Sequence, residues 1–337
     1  ATSTVIYTVT ATDADGTTAN NTLTYSLTGT DASLLDINAS TGVVTLKASA
    51  NFETKSSYSF NVVATDNGTG ALTDTQAVTV SVNDVNEAPV ITSGTTGSVN
   101  ENAATSTVIY TATATDVDSN TLTYSLTGTD ASLLDINAST GVVTLKASAD
   151  YETKSSYSFN VVATDNGTGS LTDTQAVTVS VNDLNDNTPV ITSGATGSVD
   201  ENAATSTVIY TVTGTDADGT STNNTLTYSL TGTDASLLDI NASTGVVTLK
   251  ASADYETKSS YSFNVVATDN GAGNFNSGSL NVSKAVTVSV NDLNDNTPVI
   301  TSGATGSVDE NAATSTVIYT VTATDADGTT ANNTLTY

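Results

Sequence analysis

The residues in this chain best suited to chemistry are its carboxylates, because their types and spacings recur. A lone glutamate stands at Glu101 and again at Glu201. An Asp-x-Asp pair follows at Asp116/Asp118 and Asp216/Asp218. An Asp-Tyr-Glu triplet supplies Asp150/Glu152 and Asp254/Glu256, and an Ala-Thr-Asp-Asn-Gly segment supplies Asp165 and Asp269. The second and third units close on Asp-Leu-Asn-Asp-Asn, at 183–187 and 292–296. Grouped carboxylates repel one another unless a cation holds them. Oxygen-only sets of about six to eight ligands suit Ca2+. Zinc would draw on Cys or His, and the chain has neither. A single Asp-x-Asp is as readily a solvated loop, but five acidic motifs recurring in register point to bound cations.

The elements that position these motifs read as strands. In the second unit, alternating runs at 107–113, 122–126, 142–145, 157–162 and 176–181 are rich in Val, Ile, Thr and Tyr, with Gly, Asn, Asp and Ser between them. No segment sustains a 3.6-residue apolar period. About seven strands in about 100 residues predict an all-β fold of tandem Greek-key, Ig-like β-sandwiches arranged end to end as a rod. The core expected for this unit is Ile109, Leu122, Tyr124, Leu126, Leu134, Ile136, Val143, Leu145, Phe159 and Val161. The Cys–Trp–Cys core of antibody domains is missing.

Internal repetition sets the domain plan. The string ENAATSTVIY begins at Glu101, Glu201 and Glu310, and a 28-residue string beginning LTYSLTG starts at Leu23, Leu122 and Leu226. The expected domains are residues 1–88, 89–187 and 188–296, with a fourth beginning at 297–337. Residues 1–25 and 313–337 are identical. The spacing of 312 residues predicts a higher-order repeat of three domains within a longer parent chain. Length differences fall between strand patterns: an insertion around 274–278, and a shortened loop after Asp116. Loops accept such changes where strand registers do not.

Composition narrows the function. All seven basic residues are lysine, against 35 acidic residues and a formal charge of −28. Nucleic acid binding needs clustered cationic side chains, so it is excluded, as is an anionic membrane surface. At 37 % hydrophobic content in tidy alternations the chain folds, and bound cations would relieve its self-repulsion. No apolar run reaches membrane-spanning length, so no direct membrane insertion of this fragment is expected; no signal-peptide pattern opens it, and targeting segments are expected outside it.

Over its whole length the chain resembles cadherin repeats, through the DxNDN linker with the DxD, DYE and glutamate motifs, and the DINASTG segment at 135–141. Its Thr-, Ala- and Asn-rich composition without Arg or Cys resembles the repeats of giant bacterial surface adhesins more than animal cadherins. The resemblance implies Ca2+ between successive domains, up to three ions per linker, with ligands from both neighbours. Between the second and third domains, it assigns two ions to Glu101, Asp150, Glu152, Asp183 and Asp186 joined by Asp218. A third falls to Asn185, the carbonyls of Asn187 and Asn223, Asp216, Asp218 and Asp269. The next junction would use Glu201, Asp254, Glu256, Asp292, Asn294, Asp295 and Asn296, with Asp325, Asp327 and Asn332 beyond. The first junction would use Glu53, Asp84, Asn86 and Glu87 with Asp116, Asp118 and Asp165. There Asn51 replaces an aspartate, DVNEA at 84–88 replaces DLNDN, and Ser119 stands where asparagine is expected, so weaker or fewer ions are predicted.

The expected role is a calcium-rigidified extracellular stalk of a cell-surface adhesin or filament, serving adhesion, biofilm or structural extension. Its partners would be neighbouring repeats of the same chain, with self-association into filaments possible through avidity. Strand rise gives each domain about 30–45 Å of reach. Catalysis is disfavoured: His and Cys are absent, and the carboxylates recur in every unit instead of forming one site. A carbohydrate-binding module would want exposed aromatic platforms, and aromatics are 5 % of the chain, set in strand alternations. Thr-x-Thr runs such as Thr8–Thr10 read as solvent faces of strands, not as an ice-binding array. Asn-x-Ser/Thr sequons such as the one at Asn38 permit glycosylation.

Overall fold

A computed structural model describes residues 4–271 and 278–337; the insertion expected around 274–278 falls mostly outside them. Every regular element among the described residues is a strand or a one-turn 3-10 helix. They form two compact units, residues 1–95 with 110–144 and 158–177, and residues 96–109 with 145–157 and 178–337.

The second unit contains a full copy of the repeat. One sheet runs Thr196–Asp200, Asn281–Asn291, Ser260–Thr268 and Thr227–Thr231 in that order. A second runs Val208–Thr211, Val246–Leu249 and Leu238–Ile240. The pairing of Thr196–Asp200 with 287–291 is parallel, and all other pairs here are antiparallel. Alternation decides which side chains face inward. In Ser260–Thr268, Tyr261, Phe263, Val265 and Ala267 are buried while the intervening residues are not. They share one core with Ile209, Leu238, Val247 and Leu249 of the other sheet, which makes the pair a sandwich. Tyr210 meets Phe263 edge to face at 6.2 Å.

The first unit repeats this plan. Thr24–Thr28, Ser57–Thr65 and Thr73–Ser81 form one sheet, and Val5–Thr8, Val43–Leu46 and Leu35–Ile37 another. Both sheets contribute to a single core around Val44, Phe60 and Val62. In the middle repeat, Thr123–Thr127 pairs antiparallel with 160–164, and Thr96–Asn100 pairs parallel with 178–182, as their equivalents do elsewhere.

The strand expected at 107–113 is two elements, Val108–Thr111 and Ala114–Thr115. The matching strand of the third repeat carries a bulge between Val208 and Tyr210, and such irregularities are hard to see in alternation alone. Of the expected core, Ile109, Leu134, Val143, Leu145, Phe159 and Val161 are buried, whereas Leu122, Tyr124, Leu126 and Ile136 are only partly covered. Tyr157 and Phe159 lie inside, as core packing requires and a sugar platform does not.

Candidate metal centres

Three acidic centres recur, each built from the end of one repeat and the loops of the next. The Asp-Tyr-Glu segment is a single closed turn: Lys154 N–H donates to the Asp150 carbonyl at 2.9 Å, and Lys258 does the same to Asp254. The Thr153 backbone N–H and hydroxyl both donate to the Asp150 carboxylate at 2.9 Å, holding it below the usual carboxylate range. The lone glutamate is deeply buried, with Glu101 only 2 % exposed. One of its oxygens accepts the Tyr151 N–H at 2.8 Å and the other the Leu184 N–H. Glu201 is held in the same way by Tyr255 and Leu293. The glutamate thus stitches the acidic turn to the start of the linker.

These restraints bring charges together. Glu101, Asp150 and Glu152 each place a carboxylate oxygen within 4.8 Å of the others, and so do Glu152, Asp183 and Asp218. The next junction reproduces both groups, as Glu201/Asp254/Glu256 and Glu256/Asp292/Asp327. Glu152 and Glu256 are therefore shared, and each belongs to two groups. Burial raises the Glu152 carboxyl to about 7, helped by Glu101 and Asp183. Burial also raises Glu256, Asp216 and Asp218. Asp183 is gripped by the Asp-x-Asp loop, accepting from Thr220 N–H at 3.0 Å, the Thr220 hydroxyl and the Asn223 amide at 2.9 Å. Asp292 receives the same grip from Thr329 and Asn332, and the hydroxyl bond from Thr329 leads in holding it below its ordinary value.

A second neighbourhood surrounds the linker asparagines. Asn185 is 1 % exposed and donates to Asp269 at 3.0 Å and to the Gly278 carbonyl at 2.7 Å. Asn187 donates through both N–H and side-chain amide to Asp218, at 3.1 and 3.0 Å. Asn296 repeats this on Asp327 at 3.0 Å.

The donor set tests for a cation. Asp216 Oδ2, Asp218 Oδ2, Asp292 Oδ1 and Asp327 Oδ2 are buried without a hydrogen-bond partner, and so are Asp116 Oδ2 and Asp118 Oδ1 at the first junction. Leaving a buried polar atom unsatisfied costs about 1–3 kcal/mol, more for a charged group. Buried carboxylate oxygens, acidic neighbours and no Cys or His make a site that fits a hard divalent cation such as Ca2+.

The first junction differs in detail. Glu53, Asp84, Glu87 and Asp118 come within 4.8 Å of one another, so Glu87 joins a four-carboxylate group. Burial raises the Glu87 carboxyl, with Glu53 and Asp118 adding to the shift. The shortened loop turns toward the linker: Asn120 Nδ2 donates to Asn86 Oδ1 at 2.6 Å, and Asn86 donates to Asp165 at 3.1 Å.

Asp186 and Asp295 fall outside the tight groups and accept from the Asn102 and Asn202 amides. Asp186 still lines a cleft with Glu101, Asp150 and Glu152. Asn294 and Asp325 stay near the third junction, in a cleft with Asn296 and Asn332. Sequence reasoning passed over Asn102 and Asn202, and also Asp13, Asp15 and Asp66, which line one cleft in the first repeat. Asp13 accepts the Asp15 N–H at 2.8 Å, as Asp216 accepts that of Asp218 at 3.0 Å. The signal was available in the register: Asp13 and Asp15 align with Asp325 and Asp327 within the identical 25-residue stretches.

Sheet order, sandwich core and carboxylate-rich junctions define a class of tandem β-sandwich repeats. The cadherin domain family matches residues 1–83, 95–182 and 195–291, and the chain belongs to the cadherin family. It is 33 % identical over 308 residues to human Protocadherin Fat 1, covering 89 % of this chain and 7 % of that protein. It is 34 % identical over 259 residues to human Protocadherin-1, covering 74 % and 24 %. The protocadherin GammaB4 extracellular domain superposes with a TM-score of 0.77 at 26 % identity, covering 98 % of this chain and 54 % of that one. Mouse Cadherin-23 EC22-24 gives 0.66 at 28 % identity, covering 87 % and 93 %. Family membership makes the chain an extracellular, cell-surface protein segment. No helix among the described residues is long and apolar enough to cross a membrane.

Proposed function

We propose that this chain is a calcium-rigidified extracellular stalk segment whose role is mechanical and adhesive, not catalytic. The observation that carries the reading is the recurrence of buried carboxylate oxygens without hydrogen-bond partners at three successive junctions. Glu101, Asp150, Glu152, Asp183 and Asp218, with Asp186 beside them, would hold cations at the middle junction, and Asn185, Asn187, Asp216, Asn223 and Asp269 a further one. Glu201, Asp254, Glu256, Asp292, Asp295 and Asp327 with Asn294, Asn296, Asp325 and Asn332 would serve the third. Glu53, Asp84, Glu87 and Asp118 with Asn86, Asp116 and Asp165 would serve the first, with up to three ions at each junction. The bound ion supplies positive charge that cancels carboxylate repulsion and removes hinge freedom. The side chains supply oxygen ligands, and the acidic turn and the Asp-x-Asp loop fix their places.

The domain boundaries proposed are 1–88, 89–187, 188–296 and 297–337. The absence of Arg and Cys and the near-identity of the repeats support a surface adhesin of bacterial type. Repeats that present one surface many times also suit self-association into filaments. Counting the ions bound to the intact chain by native mass spectrometry at rising calcium tests the central reading. Cooperative uptake of several ions supports it, and a chain that takes up none contradicts it.

A further inference from the structure

Each acidic turn ends in a lysine that points away from the carboxylates into its own domain. Lys258 closes the turn of Asp254 and Glu256 with its backbone N–H, while its ammonium pairs with Asp234 at 2.8 Å. The same lysine sits 5.7 Å over the Tyr261 ring. Asp234 is an unusual partner because it is 6 % exposed, in a chain where most acids are solvated or clustered. Its Oδ2 accepts the Ser262 N–H at 2.7 Å, and its own N–H donates to the Ser262 carbonyl at 3.2 Å. Burial alone would raise its carboxyl, but Lys258 and Ser262 outweigh that and hold it low. The aspartate is thus fixed to the central strand Ser260–Thr268 at the head of the one-turn helix Ala235–Leu237.

The first repeat carries the same device. Lys55 pairs with Asp31 at 2.8 Å and lies 5.6 Å over Tyr58, and Asp31 Oδ2 accepts the Ser59 N–H at 2.7 Å. In the middle repeat, Lys154 lies 5.6 Å over Tyr157, and Asp130 accepts the Ser158 N–H at 2.7 Å.

We propose that Lys258, and Lys55 in the first repeat, are positioning residues for calcium: each tethers the acidic turn to a buried aspartate of the core and so preorganises its carboxylates. This inference rests on the calcium reading above. Three features together carry it. The turn's two acids must lie beside Glu201 and Asp292 despite like-charge repulsion. Its backbone is closed at the lysine itself. And the lysine's charge is satisfied by a carboxylate outside the cation groups, so it does not compete for their oxygens. A tether that holds the turn before the ion arrives removes an ordering cost from binding. Outer-shell partners of metal ligands commonly change affinity by about 10- to 100-fold.

The test compares the intact chain with Lys258→Gln, Lys258→Arg and Asp234→Asn by calorimetric calcium titration, together with melting in chelator. Lys258→Gln and Asp234→Asn are expected to weaken binding at the site containing Glu256 by about tenfold, and Lys258→Arg to restore it. A lower melting temperature in chelator with unchanged calcium affinity would make the pair merely structural and overturn the tether. If the unmodified chain bound no calcium, the underlying reading would fall and this inference with it. If the unmodified chain and all variants bound calcium equally, the tether alone would fall.

Discussion

Gly219 lies so close to the ring of Tyr151 that a β-carbon on it would stand 2.3 Å from Cε1. The relationship recurs between Gly328 and Tyr255 at the same distance. The tyrosine sits between the two acids of the turn, and the glycine follows Asp218 directly. The contact therefore sets how near the Asp-x-Asp loop comes to Glu152, whose carboxylate accepts the Gly219 N–H at 3.1 Å.

Gly219→Ala should accordingly displace the loop and weaken calcium binding at the middle junction by about tenfold, a loss of about 1.4 kcal/mol. The control is Gly194→Ala, where nothing lies within 4 Å of the added carbon and affinity should not change. Calcium titration of both variants checks the pair. Equal affinities would show that the close approach is not needed.

Asp218→Asn and Asp327→Asn remove the charge on a carboxylate that is 2 % exposed and carries an unpartnered oxygen. The expected effect changes sign with calcium. In chelator each variant should melt higher than the parent, because a buried charge without a counter-ion is gone. In saturating calcium each should melt lower, because a ligand is gone. Differential scanning calorimetry in both conditions reads the crossover.

Acidity should act on the calcium-free chain through the shared glutamate. Glu152 is raised from its ordinary value of 4.5 to about 7. A raised acid makes the ionised folded state costly, so calcium-free stability at this junction should rise as pH falls from about 7 toward 4.5. Asp31, Asp150, Asp234 and Asp292 are lowered. Their contribution is present above the ordinary value of 3.8 and is lost as pH falls below it. A melting series in chelator should therefore peak in mildly acidic buffer. Calcium affinity should fall over the same interval, because protons compete for Glu152.

Phe263 separates domain stability from junction chemistry. It is 2 % exposed and packs against Tyr210 in the sandwich core. Phe263→Ala should cost about 3–5 kcal/mol of domain stability in calcium and in chelator alike. A loss seen only in calcium would tie the core to the junction in a way the packing does not show.

Much of this was legible in sequence because the repeats align their own loops. Alternation in 157–162 and 142–145 marks the buried faces correctly, and Glu101, Asp150 and Glu152 recur in the same order as Glu201, Asp254 and Glu256. The parallel strand Thr96–Asn100 was not legible, since its Thr-Gly-Ser run reads as a turn, and its pairing with 178–182 is a long-range contact. The cap on Asp186 by Asn102 was equally hidden, as a short polar side chain gives no hint of the distant carboxylate it meets. At the first junction, Ser119 suggested an incomplete loop. Glu87, expected there as a ligand, does lie in one group with Glu53, Asp84 and Asp118.

If cations hold successive repeats in fixed alignment, small-angle X-ray scattering of the intact chain will register their removal. The expected result is an extended, rod-like profile in millimolar calcium and a broader, flexible one in excess chelator, reversible on adding calcium back. Identical profiles in both conditions would contradict it.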